Sequence, residues 1–368
     1  MCAHVCRSNV CCPWGPLGVW TRLPDQDLNS DSHESLRVLN QRGDEISNAG
    51  FSHGYFAGLT ALICFMPLFF LSRVQTTMEK EVVYLGYQLC MVGTGVWWIV
   101  FYWFTWKDLR ARPGPPANAN PIALCGMGIS RLATICRGVC QARSATRYLV
   151  IWFLFSEGVG VCGSIGILFA ESEVEWGCIP KGLGLWGMAV LNSLCAGLGS
   201  QLATRAQARF GCQTKTMLMM TLCVLCLPPV WGLIGMTNNV IGFIHGWEML
   251  IISCLFGGAL GPMQGYSRTL FALLIPEGEE ANYFGIYQIT DKGSSFLGPL
   301  VVSVITQATG SMRPALVYPL ILILVSIVLL WKFDISRGIL ENTRRDNARR
   351  KNELGAGMIC VCVSPCEL

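Results

Sequence analysis

Apolar windows of about twenty residues recur along this chain, and that length is what a helix needs to cross lipid. The hydrocarbon layer is about 30 Å thick, so at about 1.5 Å rise per residue a crossing takes roughly 20 residues. Eight windows meet that requirement, at 51–72, 82–106, 147–170, 181–203, 216–236, 248–270, 283–306 and 314–333. The sequence therefore predicts an all-α polytopic membrane protein with about eight transmembrane helices. Composition points the same way: 52% of the 368 residues are hydrophobic and 14% are charged, against about a quarter charged in soluble domains.

The charges that remain report topology. A formal net charge of +4 with no basic stripe argues against nucleic acid as a partner. Lys and Arg favour the cytosolic side of short loops. The 107–146 linker, the 204–215 loop with Arg205, Arg209 and Lys215, and the tail with Arg344, Arg345, Arg349, Arg350 and Lys351 alternate consistently onto one side. The intervening loops carry Glu171, Glu173 and Glu175, the uncharged run 237–245, or a lone Arg313. Both termini are expected in the cytosol, with membrane lipid as the surrounding partner. The domain reading is a polar N-terminal segment at 1–50, two helices in 51–106, a basic linker stiffened by prolines at 107–146, six helices in 147–333 and a basic tail at 334–368.

Cysteine is abundant at 19 residues, many inside apolar windows where it acts as a small hydrophobe. Cys2, Cys6, Cys11 and Cys12 at one end, and Cys360, Cys362 and Cys366 at the other, lack the paired spacing and histidine partners of a zinc site. No metal and no cofactor is expected. A metalloprotease helix, a phosphate loop and a nucleophile elbow are all missing from the sequence, so it does not read as an enzyme.

Ionisable residues inside apolar windows are costly and mark substrate or ion pathways. Glu157, in Phe153-Leu-Phe-Ser-Glu-Gly-Val-Gly160, is one candidate, with substrate or proton handling or an interhelical hydrogen bond as its alternatives. Asp291 and Lys292 in the 283–306 window are the second. Adjacent residues on a helix diverge by about 100°, so each is expected to need its own partner. Tyr287 lies one turn before this pair. Gly257, Gly261 and Gly265, four residues apart, predict a close helix–helix contact. Gln264 and Arg268 share that window as candidate pathway residues, and Pro262 predicts a kink within it.

The run from Gln264 to Leu300, with Tyr266, Ser267, Arg268, Tyr287, Gln288, Thr290, Asp291 and Lys292 all in place, closely resembles the autophagy-related protein 22 family of vacuolar effluxers within the major facilitator superfamily. Weaker echoes are Phe51-Ser-His-Gly-Tyr-Phe-Ala-Gly58, Gly95-Val-Trp-Trp98 and Phe155-Ser-Glu-Gly158, where the family often has Asp at the position of Glu157. Gly199 to Gly211, with Arg205 and Arg209, resembles the superfamily's basic loop motif without its usual Asp. The resemblance implies a twelve-helix fold whose fifth through twelfth helices correspond to the eight windows here. It further implies export of amino acids such as leucine from the vacuole lumen. The partners that follow are an amino-acid substrate and, left open by the sequence, a coupling proton and a second copy of the chain.

Overall fold

The computed structural model describes residues 30–74, 80–109, 126–128, 130, 135–138, 142–237, 241–276, 279–293 and 295–343. The cysteine-rich ends, most of the proline-rich linker and the basic tail beyond 343 lie outside this set. The named elements are helical: α1 Ser30–Val74, α2 Lys80–Asp108, α3 Arg143–Ser172, α4 Lys181–Phe210, α5 Thr214–Leu225, α6 Leu227–Ile234, α7 Gly246–Ala272, α8 Glu280–Gly293, α9 Leu297–Thr309 and α10 Val317–Lys332. Among the described residues, seven helical segments are long and apolar enough to cross a membrane. The polytopic all-α architecture is as expected. One end of the bundle carries Arg205, Arg209, Lys215 and Lys332 and is called the basic end; the other is the far end.

Three boundaries differ from the sequence expectation. Residues 30–50, read as an unstructured polar segment, are helical, and the first candidate span is Asn40–Met66. The polar residues that suggested a loop are the buried face of α1: Asp44, Asn48 and Ser52, one turn apart, are 0%, 1% and 0% exposed. The window 283–306 is no single span either. Regular helix stops at Gly293 and resumes at Leu297, giving segments of 14 and 13 residues. Glycine and serine around 293–295 supply little helix-forming drive, and the Ser295 hydroxyl bonds back to the Lys292 carbonyl at 2.8 Å. Finally, residues 335–343, assigned to a basic tail, are helical and fold back under α3 and α7. Asn342 Nδ2 donates to the Ile275 carbonyl at 2.7 Å, and Ser144 Oγ to Glu341 Oε2 at 2.7 Å.

Lipid tails are as apolar as leucine, so these helices associate through close packing and interhelical hydrogen bonds. The tightest seam joins α4 to α7. A Cβ at Gly257 would stand 2.3 Å from the Asn192 carbonyl oxygen, and one at Gly261 would stand 2.2 Å from that of Ala196. Gly265, one turn on, faces α1 instead, with Asn48 Oδ1 1.9 Å from such a Cβ. Pro262 lies inside α7 and cannot donate to the Gly258 carbonyl one turn back. α4 also packs close to that carbonyl, 2.2 Å from a Cβ built on Gly199. The core at the basic end gathers Tyr148, Trp152, Phe155, Leu218, Leu222, Leu270, Phe271 and Tyr287 around α3. A second cluster at the far end centres on Phe169, Trp176, Phe243, Met249 and Leu316.

Opposed to these seams is α2. None of its Gln88–Lys107 window is buried. Trp98, Tyr102, Trp103 and Trp106 are 61–72% exposed, an aromatic outer surface at one end of the helix of the kind that suits the lipid headgroup zone.

Candidate functional site

The α3 residues Tyr148, Trp152 and Ser156 are spaced by four, so they line one face, and that face meets α8. Tyr148 donates its hydroxyl to the Ser267 carbonyl at 2.9 Å. Trp152 stacks on Tyr287 with ring centroids 4.3 Å apart and an interplanar angle of 16°. Ser156 Oγ donates to Asp291 Oδ1. Tyr287 and Ser267 share a hydrogen bond of 3.0 Å. Since the Ser267 hydrogen points to the Gln264 carbonyl, the tyrosine is the donor. A ladder of aromatic and hydroxyl groups thus leads along α3 to the carboxylate at the end of α8.

Glu157 follows Ser156 and turns toward α9. It is 6% exposed, and its Oε1 has no hydrogen-bond partner. Gly298, in the first turn of α9, leaves room for it: a Cβ there would be 2.8 Å from Glu157 Oε1 and 2.1 Å from Val161 Cγ2. Gly158 seats the same stretch of α3 against α10, 3.1 Å from the Pro319 carbonyl by the same measure. Ser156 and Glu157 therefore flank the interruption between α8 and α9, one touching each side.

Asp291 and Lys292 were expected to find separate partners. Asp291 finds one in Ser156 of α3, and the two also pair with each other, Lys292 Nζ lying 2.9 Å from Asp291 Oδ2. The four-carbon lysine stem is long enough to curl back across the divergence of neighbouring positions. The lysine side chain is 79% exposed and the aspartate 12%, so the lysine points outward while the aspartate stays in the α3 seam.

Gln264 and Arg268 stand a turn apart on α7, on the side toward α1. The Arg268 guanidinium lies 4.7 Å above the Phe51 ring, and its Nε–H is buried without a partner. It is within electrostatic reach of Tyr287. Glu157, Tyr287, Asp291 and Lys292 are thus brought together at one seam, while Gln264 and Arg268 adjoin it through Ser267.

Two further buried carboxylates escaped the sequence reading. Glu248, at the far end, is 1% exposed. Its Oε2 accepts from Trp231 Nε1 at 2.8 Å, Gly242 N at 2.8 Å and Phe243 N at 3.0 Å, and its Oε1 from His245 N at 3.2 Å. These bonds hold a turn in which Phe243 takes a φ of 61°. Arg313 completes the knot, donating to the Gly242 carbonyl at 2.6 Å and approaching Glu173 at 3.7 Å. The available signal was a Glu three residues into a helix, the capping position. The second is Asp44, whose Oδ2 accepts from Gln207 Nε2 and from Thr214 Oγ1, both at 2.6 Å. It joins α1 to the turn between α4 and α5, beside the loop that resembles the superfamily's basic motif.

With this geometry in view, comparison with known proteins is informative. A family profile described as "Vacuole effluxer Atg22 like" matches residues 15–343. Autophagy-related protein 22-1 of Phaeosphaeria nodorum is 30% identical over 318 residues, covering 81% of this chain and 55% of that protein. Autophagy-related protein 22 of Botryotinia fuckeliana is 31% identical over 335 residues, covering 85% and 54%. The chain spans about half the length of these curated relatives. Among solved structures, a variant of the fucose:proton symporter FucP of E. coli aligns with a TM-score of 0.51 at 14% identity, over 77% of this chain and 67% of that one. FucP in the outward conformation, a major facilitator superfamily transporter, aligns with a TM-score of 0.53 at 14% identity, over 80% and 69%. These likenesses establish the major facilitator fold, and the profile match over most of the sequence establishes the family: the chain belongs to the Atg22-like vacuole effluxers.

Proposed function

We propose that this chain acts in the vacuolar membrane as a multi-pass transporter that releases amino acids such as leucine from the lumen to the cytosol. The family is one of transporters, not enzymes, and its name supplies the vacuole and the direction of transport. The observation that carries the reading is the polar seam at the interruption between α8 and α9. Transporters place substrate and ion groups where a spanning helix is broken, because freed backbone and buried charge are tolerated there only beside a cavity or protein. Glu157 and Asp291 offer acceptors to an ammonium group, and the unpaired Nε–H of Arg268 offers a donor to a carboxylate. An amino acid carries both. In this reading the basic end faces the cytosol, as the loop charges favour, and the Glu157 carboxylate is the candidate for coupling to protons.

The test is leucine efflux from preloaded vacuoles isolated from a strain lacking its own family member. Adding the chain is expected to restore efflux, and Glu157→Gln or Asp291→Asn to abolish it with the protein still in the membrane. No difference on adding the chain overturns the proposal. A second reading, a form that does not transport by itself, is favoured by one observation: no residue of the Gln88–Lys107 window of α2 is buried, and α1 covers part of it, through Phe65 against Trp97. Efflux that returns only when the chain is expressed together with a complementary set of family helices would favour it.

A further inference from the structure

Asp44 stands on α1 where that helix is fastened to the rest of the bundle. Ser47 Oγ donates to the Gly265 carbonyl at 2.9 Å, and Ser52 Oγ to that of Gly197 at 2.9 Å. Gln201 Nε2 reaches Ser52 Oγ at 3.0 Å, and Phe51 lies under Arg268. With the two bonds to Asp44, these contacts form a polar clasp along one face of α1, binding it to α4, α5 and α7.

Within the clasp several polar atoms stand idle, among them two donors, Asn48 Nδ2 and the Tyr266 hydroxyl. Asp44 is 0% exposed, yet its Oδ1 has no hydrogen-bond partner. Neither do Asn40 Oδ1 and Asn48 Oδ1, one turn to either side, nor Gln207 Oε1 across the seam. No cation balances the carboxylate among the described residues. On α1 itself, Arg42 and Glu45 are exposed, as are Arg205 and Arg209 on α4. On α5, Lys215 Nζ is spent on the Trp331 and Phe333 carbonyls, at 2.9 and 2.7 Å. On α7, Arg268 sits over Phe51, Thr269 Oγ1 faces Asp44 while bonding the Gly265 carbonyl at 3.2 Å, and the Tyr266 hydroxyl, near Asp44, has no partner.

A buried carboxylate with neither counter-ion nor full hydrogen bonding is among the least favourable groups a protein can hold. Proton uptake removes the charge and turns Oδ1 from one more idle acceptor into a donor, with asparagine oxygens a turn away on either side. There is also a way in. A cavity of about 510 Å³ at the basic end is lined by Asn40, Gln207 and Thr214, the last two being the donors to Asp44.

We propose that Asp44 is a proton-binding site filled from the cavity at the basic end, and that the protonated acid is the form that closes the α1 clasp. A proton bound at Oδ1 bonds to an asparagine oxygen of the same face, while Oδ2 keeps Gln207 and Thr214. Its release leaves an anion in the seam between α1 and α7, which draws water through the cavity and loosens the clasp. The site is separate from Glu157 and does not depend on the chain moving amino acids.

The test uses the purified full-length chain in phosphatidylcholine proteoliposomes. Infrared spectra at pH 5 are expected to show the C=O stretch of a protonated carboxyl group that fades as the pH is raised to 8, is lost in Asp44→Asn and is kept in Glu157→Gln. Absence of that band from the wild type, or its persistence in Asp44→Asn, overturns the proposal. So does a band abolished by replacing K+ with Na+ at constant pH, which would make the site a sodium site. A second measurement needs no variant. Dicyclohexylcarbodiimide, which reacts with protonated carboxyl groups in apolar surroundings, is expected to label Asp44 and not the exposed Glu45, as mapped by peptide mass spectrometry, with labelling lost as pH is raised. Labelling confined to Glu157 refutes the assignment.

Discussion

Glu248 at the far end and Glu157 at the interrupted helix are both carboxylates removed from water, and the bundle treats them in opposite ways. Glu248 receives four donors, three of them backbone N–H groups of a single turn, and nothing about it is left open. Glu157 has an oxygen without a partner and a glycine cleared in front of it. A satisfied buried carboxylate is a structural tie, because removing it strands every donor that faces it. An unsatisfied one stores an interaction for something that arrives later. The difference separates the end of the bundle that is knotted from the seam where an acceptor stays open.

The comparison can be broken most forcefully at Glu248. Its replacement by Ala should cost at least about 3 kcal/mol, since several buried N–H groups lose a charged acceptor together. Thermal unfolding in detergent measures this, and a variant as stable as the wild type would show that the turn does not need its tie. Next in size is the α4–α7 seam, where Gly261→Leu must displace the Ala196 backbone. A loss of about 1–3 kcal/mol or more is expected in the same assay, and a neutral outcome would mean the seam is looser than its geometry.

Glu157→Gln sharpens the contrast from the other side. It keeps shape and removes a buried charge whose Oε1 has no partner, so the protein should unfold no more readily than the wild type while leucine efflux falls to background. Loss of folding with it would place Glu157 with Glu248 as a tie. The smallest effect belongs to Lys292→Gln. The lysine is 79% exposed, and an exposed ion pair contributes between zero and about 1 kcal/mol. Asp291 keeps its bond from Ser156, so unfolding should hardly move; a large shift would mean that Lys292 anchors the end of α8.

Fold class and seven of the eight predicted crossings were legible because a lipid crossing demands a long apolar run, and such runs survive in composition. Glu157 and Asp291 were legible for the same reason in reverse, as charges inside those runs. The face of α1 was not, because Asp44, Asn48 and Ser52 break the apolar pattern that marks a span; only their spacing of four would have shown a helix with a polar seam. Glu248 was passed over because a charge near a window's edge reads as loop, and its four bonds come from a turn that only the folded backbone forms. The pairing of Lys292 with Asp291 depends on side-chain reach, which sequence spacing does not report.

The interruption at 293–297 also bears on how the protein is made. At about 1.5 Å per residue, α8 and α9 are each about 20 Å long, too short to cross a hydrocarbon layer of about 30 Å singly. As one segment they would carry Asp291, Lys292 and the serines into lipid with no partner. Their stable insertion during synthesis therefore waits for a docking site, and α3, with Ser156 ready for Asp291 and Gly158 seated on α10, provides it. The interruption thus ties the seventh window, 283–306, to α3, a helix made before it.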